Sequence, residues 1–149
     1  MPDPRTLARV RDDKRKGESA STQAGEFVRE EIHHVREGKH GARSPQQAIA
    51  IGLSKARRAG VELPPPRKGR SSVRRRAKRD LATGRKKGRR PSRTRSRATE
   101  SALEREGHHS ASHEALARQG RRSAARRTHA QRSASARKAA RTRARRRSS

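Results

Sequence analysis

Three groups of side chains in this sequence could do chemistry: a pair of adjacent carboxylates, two clusters of histidines, and long runs of arginine and lysine. Glu30 and Glu31 are chain neighbours, so on a helix they point about 100° apart and cannot flank one substrate as an acid and base pair. They read as surface residues paired with Arg29 and Arg36. His33, His34 and His40 surround one turn, and His108, His109 and His113 lie further along, the last two at the i, i+4 spacing of a helical metal pair. The chain has no cysteine, which removes thiolate zinc ligands, thiol nucleophiles and disulfides. In that context the histidines read as solvated polar groups or a pH-sensitive charge reserve, not as metal ligands. There is no phosphate-binding glycine loop and no nucleophile beside an orienting base. The sequence therefore points to no catalytic residue, no metal and no cofactor, and the protein is not expected to be an enzyme.

The cationic runs are the remaining chemistry. Lys55, Arg57 and Arg58 are expected on the polar side of a helix that also carries Gln46 and Gln47, and Arg67, Lys68 and Arg70 follow a proline run. Arg74-Arg75-Arg76, Arg85-Lys86-Lys87 and Arg89-Arg90 come next. The last stretch holds Arg121-Arg122, Arg126-Arg127, Arg137-Lys138, Arg141, Arg143 and Arg145-Arg146-Arg147. Guanidinium forks grip phosphate through two hydrogen bonds, and release of condensed counterions from DNA supplies free energy. Engaging about 8 phosphates would make log K fall against log salt with a slope of roughly −7 on duplex DNA. Phe27 is the one aromatic residue and lies outside these runs, so base-stacking platforms are missing and backbone contact is favoured over base readout. The expected partner is duplex DNA, with structured RNA second.

Composition sets how these residues can be held. The formal net charge is +29, from 43 Lys and Arg against 14 Asp and Glu, and only 26% of residues are hydrophobic. Such a chain repels itself, and one full-length core lacks material. Leu, Ile, Val and Phe number 11 in residues 1–66 and 4 in residues 67–149, while net charge runs the other way, +4 and then +25. The resulting fold expectation is a small all-α module followed by a long intrinsically disordered basic tail.

Within the module, residues 1–20 suggest a weak helix capped by Asp3 and Pro4, with Leu7 and Val10 on one face and Gly17 as its stop. Residues 21–60 predict a helical hairpin. One helix, about 22–37, carries the stripe Ala24, Val28, Ile32 and Val35, widened by Phe27 and ended by Gly38. The other, about 45–59, starts at Ser44 as N-cap, Pro45 at the first position and Gln47 completing a capping box. Its narrow face of Ile49, Gly52, Leu53 and Ala56 includes a small residue suited to close helix contact. Residues 61–70, with Pro64-Pro65-Pro66, predict an extended linker. Residues 71–149 predict disorder, because Leu81, Leu103 and Leu116 are too sparse for a buried face and adjacent like charges oppose the Ala and Arg helix propensity. A short similarity between Ala102–Gly107 and Ala115–Gly120 is too little for a repeat architecture. The beginning of the chain lacks an apolar signal region and no segment has the roughly 20 apolar residues of a membrane span, so a cytoplasmic, nucleoid-associated protein with no membrane partner is expected.

The block Glu26-Phe27-Val28-Arg29-Glu30-Glu31-Ile32-His33-His34, continued by Lys39-His40-Gly41-Ala42-Arg43-Ser44 and Gln47-Ala48-Ile49-Ala50-Ile51-Gly52-Leu53, resembles a family of small basic bacterial proteins. These carry a domain of unknown function and are sometimes labelled DNA-binding or plasmid-stabilisation proteins. Arg57-Arg58-Ala59-Gly60 and Pro64-Pro65-Pro66 fit the same pattern, so the resemblance covers roughly residues 20–68. In composition the tail is similar to histone-like tails. The expected function is nucleoid-associated DNA binding through phosphate electrostatics. Two alternatives are an RNA-binding or ribosome-associated factor, and an interaction adaptor in which Val28, Ile32, Ile49 and Leu53 build a homodimer interface and the tail localises it.

Overall fold

The computed structural model describes residues 2–86 and 92–148. Those residues form seven α-helices: α1 (Pro4–Arg15), α2 (Ala20–Arg36), α3 (Pro45–Arg58), α4 (Ser71–Arg85), α5 (Arg93–Glu104), α6 (His113–Ala125) and α7 (His129–Arg147). A short 3₁₀ turn, His109–Ala111, precedes α6. Two compact units result, Met1–Ser112 and His113–Ser149.

Local chemistry sets the helix ends of the first unit. Asp3 caps α1 by accepting from the Arg5 amide at 2.7 Å, with Pro4 at the first position. Ser19 caps α2, which therefore starts two residues earlier than expected, by accepting from the Thr22 amide. Ser44 accepts from the Gln47 amide at 3.2 Å, and the Gln47 side chain accepts from the Arg43 amide, one residue ahead of the cap. After α1 and α2 the chain turns through Gly17 and Gly38, whose φ of 70° and 72° lies in the left-handed region that favours glycine.

Helix α2 packs on α3, α1 on α2, and α4 on the far side of α3. The first apolar cluster is Ala24, Phe27, Ala56 and Val61, flanked by Leu7, Val10, Ala20, Leu53 and Leu63. The second is Val35, Ala42, Ala48 and Ala111, with Ile32 against it. Gly52 is what lets α2 and α3 approach: a Cβ there would stand 2.6 Å from the Val28 Cα.

The expected module with a long disordered tail is incorrect, because residues 71–148 build four α-helices where they are described and part of that segment completes the first unit. Helix α4 buries Ala77, its Asp80 accepts from Ser54 Oγ at 2.7 Å, and a Cβ on Gly84 would collide with the Arg57 carbonyl. Farther on, the Gly41 amide donates to the Leu103 carbonyl at 2.8 Å, the Ala42 amide to Gly107 at 3.0 Å, and Arg36 Nε to Ala111 at 2.8 Å. The sparse apolar residues misled because Ala and Gly do this packing, through small side chains and close backbone approach.

The second unit follows from propensity and capping more than from burial. Thr128 and Gln131 form a reciprocal capping box at the start of α7. Like-charge neighbours at i, i+4, such as Arg137 with Arg141 and Arg143 with Arg147, cost a few tenths of a kcal/mol each. Ala and Arg rank among the best helix formers, and that preference summed over α7 outweighs those pairs.

Candidate functional site

Of the cations expected to face a nucleic acid, most are exposed and two point inward. Arg58, Arg67, Lys68 and Arg70 are exposed, as are Arg74, Arg75 and Arg76 on α4 and Lys86 after it. Arg67, Arg74, Arg75 and Lys78, with Ser71, Pro65 and Pro66, line an open groove of about 560 Å³. Ser71, the first residue of α4, is among the lining residues, so these cations lie beside the start of that helix. Arg85 is exposed but held by both carboxylate oxygens of Glu62, at 2.7 and 3.1 Å; the guanidinium holds the Glu62 carboxyl below its usual range, and the Glu62 carboxylate raises Arg85. Arg121, Arg122, Arg126 and Arg127 are exposed on and after α6, and Arg137, Lys138, Arg141, Arg143, Arg145, Arg146 and Arg147 are exposed on α7. Lys87, Arg89 and Arg90 lie outside the described residues.

Arg57 does not face solvent. It is 7% exposed and donates to the Leu63, Leu53 and Pro64 carbonyls, and burial pushes its guanidinium below the usual value. It fastens the proline segment to α3. Lys55 also turns inward, its Nζ 2.5 Å from Glu31 Oε2.

That contact leads to a cluster the sequence reading missed. Glu30 and Glu31 are buried, 5% and 0% exposed, and neither makes the surface pair with Arg29 or Arg36 that adjacency suggested. The α2 face carrying them is covered from two sides. Glu30 accepts from the Asp3 amide at 3.2 and 3.3 Å and lies 3.9 Å from His34 Nε2. Glu31 Oε1 lies 2.9 Å from His40 Nε2. Both Glu31 oxygens are fully buried, yet neither accepts an aligned hydrogen bond.

The histidines complete the pocket. His40 Nδ1 is 3.0 Å from the Gly41 carbonyl, which can only accept, so Nδ1 carries the proton and Nε2 faces Glu31. The His34 ring stands edge-on to His40 with centroids 6.0 Å apart. Burial, reinforced by nearby Lys55, lowers the His34 pKa, keeping its imidazole neutral near pH 7. Glu31, His34 and His40 each offer one ligand atom, all within 4.8 Å of one another. The sequence carried half of this signal: Glu31 and His34 stand at i, i+3 and share a helix face. The other half, His40, reaches that face only through the turn after Gly38.

In comparisons with known proteins, residues 11–69 match the model of a family described as a family of unknown function, DUF6496. The match spans from the middle of α1 to the end of the proline segment and includes every member of the buried cluster. That description carries no DNA-binding or plasmid-stabilisation label. No curated protein and no solved structure matches the chain. Among the described residues, no helix is long and apolar enough to cross a membrane.

Proposed function

We propose that this chain is a non-catalytic nucleic-acid-binding protein that engages the phosphate backbone of duplex DNA on the nucleoid through its exposed cationic helices. The observation that carries the reading is α7, which buries no residue and exposes Arg137, Arg141, Arg143 and Arg147 along its length. A helix without an apolar face gains little from packing, whereas a rod of guanidinium groups gains from each phosphate it neutralises. The cationic groove beside α4 adds a second set of donors. No aromatic residue stands among these cations, which favours backbone contact over base stacking. The dimeric adaptor is disfavoured, because Ile32 and Leu53 pack against the chain's own apolar clusters.

The test is full-length protein titrated with duplex DNA and with duplex RNA across a salt series, beside a variant carrying Arg143→Gln, Arg145→Gln, Arg146→Gln and Arg147→Gln. The expected result is steep salt dependence for the wild type. The variant should show a log–log slope shallower by roughly 3 to 4 if all four arginines reach phosphate. Binding that is absent at about 50 mM salt, or insensitive to salt, sinks the reading. Tighter binding to RNA would move the function to the RNA alternative.

A further inference from the structure

We infer that Glu31, His34 and His40 form a binding site for a divalent transition metal of the zinc type, built where the turn after α2 folds back over that helix.

The case begins with the direction of the donor groups. Two polar groups that bond to each other aim at each other; ligands of one metal aim at a common point. His40 Nε2 lies 2.9 Å from Glu31 Oε1, well within hydrogen-bond distance. Glu31 nevertheless accepts no aligned hydrogen bond. The two atoms thus stand close together without an aligned hydrogen bond between them. Metal–ligand distances of about 2.0 to 2.2 Å place neighbouring donors roughly 3.3 Å apart around a tetrahedral centre. The three donor atoms all lie within 4.8 Å of one another, within reach of one shared ion.

Protonation agrees with the geometry. The Gly41 carbonyl holds the proton of His40 on Nδ1, which leaves Nε2 as the ligand nitrogen, the arrangement by which backbone carbonyls fix metal-binding imidazoles. One outer group is also in place, Lys55 Nζ on Glu31 Oε2 at 2.5 Å. Two imidazoles and one carboxylate suit zinc and its neighbours rather than magnesium or calcium, which prefer all-oxygen shells. The side chains of His34 and His40 are 18% and 12% exposed, so the site lies just under the surface and solvent can complete the shell.

The experiment uses untagged, metal-free, full-length protein in a buffer without phosphate, titrated with Zn²⁺ by calorimetry and followed by imidazole ¹⁵N spectra. The expected result is one Zn²⁺ per chain, with shifts at His34 and His40 and none at His33, His108, His109, His113 or His129. The double variant His34→Ala/His40→Ala, checked for wild-type helicity, should bind more than about 100-fold more weakly. A triple variant His108→Ala/His109→Ala/His113→Ala should bind as the wild type does. The inference is overturned by absence of stoichiometric uptake in the wild type, by shifts confined to other histidines, or by undiminished uptake in a folded double variant. The wild-type spectra decide the matter by themselves should the double variant not fold.

Discussion

At the scale of single residues, what decides the role of a charged side chain here is the direction in which its helix turns it. Lys55, Arg57 and Arg58 lie within four positions of one another on α3, yet only Arg58 is exposed. Arg57 holds three carbonyls and Lys55 meets Glu31. Removing one member of a buried pair leaves the other uncompensated, at a cost of about 3 to 5 kcal/mol in a fully buried case. Lys55 is 29% exposed on its side chain, so water recovers part of that cost. The expected destabilisation is therefore about 2 to 3 kcal/mol for Glu31→Gln and, since Glu31 is fully buried, at least as much for Lys55→Met. The double variant should lose clearly less than the sum of the two, as read from urea denaturation in a double-mutant cycle. Additive losses would mean that the two groups are not coupled. Chain adjacency of Glu30 and Glu31 rules out an acid and base pair, but it says nothing about burial. Burial here depends on Asp3, the cap of α1, and His40 from the turn, contacts that only tertiary structure creates.

At the scale of elements, glycine and alanine carry the packing that larger apolar residues carry elsewhere. Gly52 faces the Val28 Cα at 2.6 Å and the Phe27 carbonyl at 3.0 Å, both measured from the position a Cβ would take. Because these neighbours are backbone, they cannot swing aside. Gly52→Ala gains about 1 kcal/mol of helix propensity but overpacks the α2–α3 contact by about 1 to 3 kcal/mol. Net destabilisation is expected in urea melts. Gly25→Ala on α2, where nothing stands within 4 Å, should instead stabilise by about 0.5 to 1 kcal/mol. If both variants gain stability, α2 and α3 are not in close contact. Much of this pair is written in the chain: Ser44, Pro45 and Gln47 open α3, and the apolar stripe of α2 has the helical period. Helices α4 to α7 were not legible by the same reasoning, since α5 and α7 bury no residue and offer no stripe. Their signal lies in propensity and in caps such as Thr128 with Gln131, cues that weigh little beside the absence of an apolar face.

At the scale of the whole molecule, charge imbalance sets the conditions under which the fold is strongest. Fourteen acidic residues cannot balance 43 basic ones, so a surplus of 29 positive charges persists even with every carboxylate paired. Thirteen of the basic residues and one acidic residue follow Ser112, which leaves +12 on residues 113–149 and +17 on residues 1–112. Each unit is thus self-repelling on its own account. Added salt acts in two opposite directions: it weakens attractive pairs such as Arg85 with Glu62, and it weakens repulsion among the unbalanced cations. The second effect involves many more charges, and shortening the Debye length from about 30 Å at 0.01 M to about 8 Å at 0.15 M screens it strongly. Circular dichroism melts of the full chain should therefore show Tm rising by roughly 5 °C over that salt range. Phosphate should raise it further, because a polyanion binds cations as well as screening them. Helix content at room temperature should rise together with Tm, since α7 has no buried residue to hold it when its arginines repel. A Tm that falls as salt is added would show that the carboxylate pairs, and not the cation surplus, govern stability; the exposed arginines would then be a balanced surface, and the electrostatic drive toward phosphate would be correspondingly small.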